Sequence, residues 1–125
     1  MFFDTTFLID LGQELEQLTL GPARRFLANH RHGLAAVTVI SLGELAAGMP
    51  DNDAARRFLS RFRLVTLKPE IALAAADVDR ELIRSGGRLG ENDNWIAGYA
   101  RYYGQPLVSN DRAFDRVAGL RRISY

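Results

Sequence analysis

Four carboxylates of this 125-residue chain stand where short apolar runs end or helical ones begin. Asp4 closes Met1-Phe2-Phe3, Glu44 falls within Thr38 to Gly48, Asp93 opens the stretch led by Trp95, and Asp111 follows Leu107-Val108 by one Ser-Asn step. Carboxylates gathered in one cleft repel one another and raise their own pKa values unless cations neutralise them. A hard divalent ion such as Mg2+ or Mn2+ does so through oxygen ligands, and Mg2+ commonly needs only one or two carboxylates, with water and a substrate phosphate completing its shell. The chemistry that follows is activation of water and stabilisation of charge on a phosphodiester during in-line attack. Each acid also has a simpler reading. Ser41-Leu42-Gly43-Glu44 has capping-box spacing, Asp93 suits the positive end of a helix, and Asp4 and Asp111 could cap the segments that follow them.

The elements needed to bring these acids together are legible as an alternation of short apolar strands with helices. Met1 to Asp4, Leu34 to Val37, Leu64 to Leu67, Pro106 to Val108 and Arg121 to Ser124 read as strands. Between them, helices are expected from Thr5 to a stop at Gly12, from Pro22 to His30, over Thr38 to Gly48, Ala54 to Phe62 and Glu70 to Arg84, and from the capping groups of Glu91-Asn92-Asp93-Asn94 through Ala100. Ile71, Ala74, Ala75, Val78, Leu82 and Ile83 are expected to face inward, and Asp111 to Val117 reads as a turn or short helix. The pattern predicts a three-layer α/β/α sandwich around a mainly parallel sheet, in which ligands sit beyond the carboxyl ends of the strands. The four acids all fall on that rim.

Composition narrows the partners. The formal charge is +1 and Lys68 is the only lysine, so no global positive field holds a polyanion and any nucleic acid must be met locally. The absence of cysteine excludes disulfides, thiolate zinc sites and cysteine nucleophiles. No signal-peptide pattern or membrane-length apolar run is present, so residues 1–125 are read as one cytoplasmic domain.

Asp4-Thr5 with Leu8-Ile9-Asp10, Ser41-Leu42-Gly43-Glu44-Leu45 with Gly48, Asn92-Asp93-Asn94-Trp95-Ile96-Ala97, and Leu107-Val108-Ser109-Asn110-Asp111 together resemble a PIN domain of the VapC type. The likeness runs from the first strand to the last, and the order of all four blocks makes it specific. It implies a ribonuclease dependent on Mg2+ or Mn2+, with Asp4 and Asp93 as metal ligands, Glu44 and Asp111 completing the acidic set, Thr5 and Ser109 hydrogen-bonding their neighbours, and Asp115 as a possible sharer of the fourth role. It also implies the toxin half of a type II toxin–antitoxin pair: a cognate VapB-type antitoxin, a homodimer or a hetero-oligomer with that antitoxin, operator DNA met only through the antitoxin, and no membrane.

The remaining motifs are weaker. His30 and His32 lack the i, i+4 spacing of a helical metal pair and read as surface residues. Gly86-Gly87-Arg88-Leu89-Gly90 has neither GxGxxG spacing nor a P-loop lysine, and reads as a loop beside the cleft where RNA backbone approaches. Trp95 is expected in the core, one of Tyr102 and Tyr103 outside it, and Arg112 and Arg116 on phosphate. A receiver-like Mg2+-binding signalling domain is the main alternative from another class. It is disfavoured because the acidic pair after the first strand is missing and Asp51 and Asp53 lie in a loop. A non-catalytic RNA-binding PIN module is the other.

Overall fold

The strands of this computed structural model, which describes Met1 to Tyr125, are only two or three residues long. They are β1 (Phe2–Phe3), β2 (Ala36–Thr38), β3 (Arg63–Val65), β4 (Leu107–Val108) and β5 (Arg122–Ile123). All pair in parallel, in the order β3-β2-β1-β4-β5. Because side chains alternate along a strand, each strand serves two layers. Phe2, Ala36 and Leu107 lie side by side in one core, while Phe3, Val37 and Val108 lie in the other.

Six helices cover the two faces: α1 (Thr5–Glu16), α2 (Pro22–Asn29), α3 (Val39–Ala47), α4 (Asn52–Leu59), α5 (Pro69–Ser85) and α6 (Glu91–Tyr103). The Phe3 face is closed by Phe7, Leu8 and Leu11 of α1, Phe26 of α2 and Leu59 of α4, with the Phe3 and Phe7 rings 4.6 Å apart. The Phe2 face is closed by Ile71, Val78 and Leu82 of α5 and by Ile96 and Tyr99 of α6. The expected α/β/α sandwich is therefore present. Gly98 permits the tight α5–α6 contact, because a Cβ there would stand 2.7 Å from Ala75 Cβ and 2.8 Å from its Cα.

Several local expectations are corrected. The first helix does not stop at Gly12 but continues to Glu16, since the cost of one helical glycine, about 1 kcal/mol, is outweighed by the packing around it. The side chain of Glu14, in that extra turn, is buried and accepts from the Ala23 and Arg24 N–H groups at 2.9 and 2.8 Å, so it closes the start of α2. Ile83 is 53% exposed, because it lies one position beyond the inward stripe of Val78 and Leu82. Trp95 is only partly buried, and both Tyr102 and Tyr103 reach the surface, where Lys68 Nζ lies 5.1 and 5.7 Å from their ring centres.

The topology also creates a crevice. From β1 the chain proceeds through α1 and α2 to β2 on one side, whereas β4 pairs with the other side of β1. Between the carboxyl ends of β1 and β4 the strand order reverses, and that is where open α/β sheets hold ligands.

Candidate active site

Asp4 is the first residue past β1 and 3% exposed. Its Oδ1 accepts the Thr5 N–H at 2.8 Å, which caps α1, while its Oδ2 accepts the Ser109 hydroxyl at 2.8 Å from the end of β4. Ser109 in turn accepts the Asp111 N–H at 3.0 Å, and Asp111 Oδ1 accepts the Ala113 N–H at 2.9 Å, capping a 3-10 turn over Arg112–Arg116. For Asp4 and Asp111 the capping reading is thus correct, but it leaves carboxylate lone pairs uncommitted in both.

For Glu44 the capping reading fails, whereas Asp93 does stand in the first turn of α6, where an acid favours the helix dipole, but caps nothing. The N-cap of α3 is Thr38, whose hydroxyl accepts the Ser41 N–H, so Glu44 lies beyond the first turn. Its Oε1 instead accepts the Thr5 hydroxyl at 2.8 Å, across from one helix to the next. Because a carboxylate only accepts, the Thr5 proton is spent on Glu44 and the Ser41 hydroxyl, 2.9 Å away, must donate to Thr5. Thr38 donates to Ser41 at 3.4 Å, which gives a directed chain from Thr38 to Glu44. The N-cap of α6 is Gly90, which has no side-chain cap, so the Glu91 to Asn94 run does not supply one. Asn94 reaches back instead: its Nδ2 donates to the Ala75 carbonyl at 2.9 Å, tying the first turn of α6 to α5 beside Asp93.

Shared hydrogen bonds through Thr5 and Ser109 join Asp4, Glu44 and Asp111, and the charges that act on Asp93 are those of the same three acids. Burial pushes the Asp93 carboxyl up to about 6, helped by the charges of Asp4, Asp111 and Glu44. Burial also raises Asp4, with Asp111 and Glu44 adding to it, while the bonds from Ser109 and Thr5 act against the rise. No three of the carboxylates form a closed metal cage. The donor set is nevertheless all oxygen, no arginine acts on Asp4 or Asp93 to offset the repulsion of their neighbours, and Mg2+-type ions typically take only one or two carboxylates directly. The residues present fit a hard divalent cation.

Asp115 belongs elsewhere. Its two oxygens accept from Arg122 Nε and Nη2 at 2.9 and 3.0 Å, and that guanidinium holds its carboxyl below the usual range. Arg122 also donates to the Ser109 carbonyl at 3.0 Å, bracing the rim from β5. Arg112 and Arg116 are exposed on the turn after Asp111 and make no ion pair. A Cβ placed on Gly87 would lie 3.1 Å from Arg116 Cδ, and one on Gly90 would lie 3.9 Å from Asp93 Oδ2, so the glycine loop borders the acids. The sequence did not reveal the Ser41–Thr5–Glu44 links or the Arg122 brace, because both join residues through the tertiary fold. The receiver alternative finds no support: Asp51 caps α4 and Lys68 lies over tyrosine rings.

Fold and rim together define an open, all-parallel α/β domain with an acidic crevice at its switch point. The PIN-domain family profile matches residues 1–120. Ribonuclease VapC2 of Haemophilus influenzae is 36% identical over 101 residues, covering 74% of this chain and 76% of that protein. The tRNA(fMet)-specific endonuclease VapC of Shigella flexneri is 34% identical over 101 residues, with the same coverage of both. Among solved structures, VapBC2 of Rickettsia felis bound to a promoter DNA fragment matches with a TM-score of 0.82 at 21% identity, over 98% of this chain and 96% of that one, which shows a shared fold. The chain belongs to the PIN-domain family, whose nucleases are metal-dependent.

Proposed function

We propose that this protein is the toxin of a type II toxin–antitoxin pair, a VapC-type ribonuclease that hydrolyses RNA phosphodiester bonds with Mg2+ or Mn2+. The observation that carries the reading is the meeting of Asp4, Glu44 and Asp111 through Thr5 and Ser109 at the switch point of a PIN-family sheet, with Asp93 within reach of their charges. The names of the VapC relatives, a ribonuclease and a tRNA-specific endonuclease, supply the substrate class.

In this reading Asp4 and Asp93 are the direct ligands, with Glu44 and Asp111 reached through water or serving a second ion. Bound there, the divalent ion would supply Lewis-acid polarisation of the scissile phosphate and activation of a water. The protein's own contribution is orientation. Thr5 N–H and the Ser109 hydroxyl fix both oxygens of Asp4, and the Thr38–Ser41–Thr5 chain fixes Glu44, so neither carboxylate has to reorganise when charge develops on phosphorus. Arg112 and Arg116 contact phosphates flanking the cut, and Gly86 to Gly90 lets the backbone come close to Asp93.

A VapB-type antitoxin would restrain the enzyme and carry any operator DNA contact, as the solved VapBC complexes with DNA suggest for their own chains. The single PIN unit would act as a homodimer, or with the antitoxin as a hetero-oligomer, in the cytoplasm. No helix is long and apolar enough to cross a membrane.

The test is cleavage of total cellular RNA by antitoxin-free protein with Mg2+ or Mn2+, beside folded Asp4→Asn and Asp93→Asn variants. Discrete fragments that vanish with EDTA and in both variants establish the ribonuclease. A folded wild type that cuts nothing, or variants that cut equally well, would refute it.

A further inference from the structure

The acidic cleft attracts a metal but repels the rest of an RNA chain, and a net charge of +1 offers no compensating field. Affinity for RNA must therefore come from local basic surfaces. One such surface lies at the opposite edge of the sheet, at the amino ends of β2 and β3. There a cavity of about 590 Å3 is lined by Arg31, Arg61 and Arg63 together with His30 and His32, over Phe62, and no carboxylate is among its lining residues. None of the three guanidinium groups makes an ion pair or a hydrogen bond, in contrast to Arg80, Arg88, Arg101 and Arg122, which all hold acids.

His30 follows the last turn of α2 and Arg61 follows that of α4, positions where cations favour the helix macrodipole. That accounts for two charges, but not for Arg31 in the intervening turn or Arg63 on β3, nor for their meeting around a concavity. The His30 ring is held in place, stacked on Phe26 at 3.9 Å between centroids with its Nδ1 2.8 Å from the Phe26 carbonyl oxygen. Arginine forks without protein partners match phosphate oxygens bidentately.

We infer that this pocket is a second phosphodiester-binding site, an exosite that grips the backbone of the RNA substrate away from the cleft. It rests on the ribonuclease reading for the identity of the polyanion. A folded RNA lying along the flank of the sandwich meets arginines at one end of the strands and carboxylates at the other. The acids then select the scissile phosphate, and the basic pocket holds the molecule.

The experiment uses the full chain in a non-cleaving Asp93→Asn background, with and without Arg31→Gln, Arg61→Gln and Arg63→Gln together. Circular dichroism and thermal melting establish that both fold. Binding of fluorescein-labelled bulk transfer RNA is titrated by anisotropy at several salt concentrations. The expected result is binding about tenfold weaker, with the slope of log K against log salt reduced by about 2, at roughly 0.7 per single-strand phosphate released. In parallel, amide NMR shifts of residues 30–34 and 61–63 are followed as the RNA, or inorganic phosphate alone, is added. Perturbation by RNA, lost in the triple variant, supports the exosite. Equal affinity and equal slope in the two proteins overturn it, as does a response to inorganic phosphate with none to RNA. Cleavage by the parent protein, with the Asp93 carboxylate intact, is scored separately. A parent that fails to cut RNA while the triple variant loses binding would remove the nuclease reading and leave the exosite standing.

Discussion

Removing the Asp93 charge should make the metal-free protein more stable while abolishing its metal response. The folded carboxyl is raised from 3.8 to about 6, so its folded state binds a proton more tightly than its unfolded state. The native form therefore carries more protons between those two values, and stability falls as pH rises through that window. The contribution is fully favourable below about pH 4 and is lost above about pH 6 to 7. Taken at face value the shift of about two units is worth close to 3 kcal/mol, and because the side chain is only partly buried, solvent screening reduces this to about 1–2 kcal/mol. Asp93→Asn removes the penalty without breaking a hydrogen bond, since no hydrogen bond contributes to this carboxyl's shift. Urea unfolding in EDTA at about pH 3.5, below both values, and about pH 7.5, above both, measures it, with the difference between the two proteins cancelling the titrating groups that Asp93 does not influence. The variant should be more stable by about 1–2 kcal/mol at the higher pH and nearly equal at the lower. Divalent ion at a hundredfold its dissociation constant should stabilise the wild type by about 2.7 kcal/mol and the variant far less. A variant less stable than wild type at the higher pH, or a gap that does not close on acidification, would refute a cleft of mutually repelling carboxylates.

Three further outcomes are expected. Ser109→Ala removes a buried hydroxyl that donates to Asp4, so Asp4 should titrate higher, and metal titration calorimetry should show weaker affinity by about 1–2 kcal/mol, with circular dichroism unchanged. Replacing Arg112 and Arg116 together by glutamine should raise KM for RNA with little change in metal affinity, because both side chains are exposed on the turn beyond Asp111 and neither holds an acid. Gly98→Ala should cost about 1–3 kcal/mol in chemical denaturation, since its methyl group would meet backbone atoms of Ala75 at 2.8 and 2.9 Å and force α5 away from α6.

Much of this architecture is written in local pattern. Phe2-Phe3, Ala36-Val37 and Leu107-Val108 are apolar at both positions because a parallel strand covered on two faces has no solvent side, and that makes them readable without a structure. The junctions after β1, β2 and β4 placed Asp4, Glu44 and Asp111 toward one rim, since parallel strands put every strand-to-helix junction at the same edge, whereas Asp93 opens a helix that follows another helix and is not placed by that rule. Element ends were less legible. Gly12 looks like a stop by propensity alone, and only packing against α2 and α4 explains why the helix runs on to bring Glu14 onto the start of α2.

What the sequence could not contain was the choice between capping and chemistry at each acid. A Ser-x-x-Glu spacing is identical whether the glutamate caps its own helix or accepts from Thr5 on another, and the boundary one turn earlier, at Thr38, decides it. The pairing of Asp115 with Arg122, and the gathering of Arg31, Arg61 and Arg63 around one cavity, join residues far apart in sequence or separated by a turn. Local composition fixes strand, helix and the edge on which an acid will stand, because those depend on periodicity within a few residues. Which oxygen faces which donor, and which charges lack a partner, depend on distances between elements, and only the folded chain sets those.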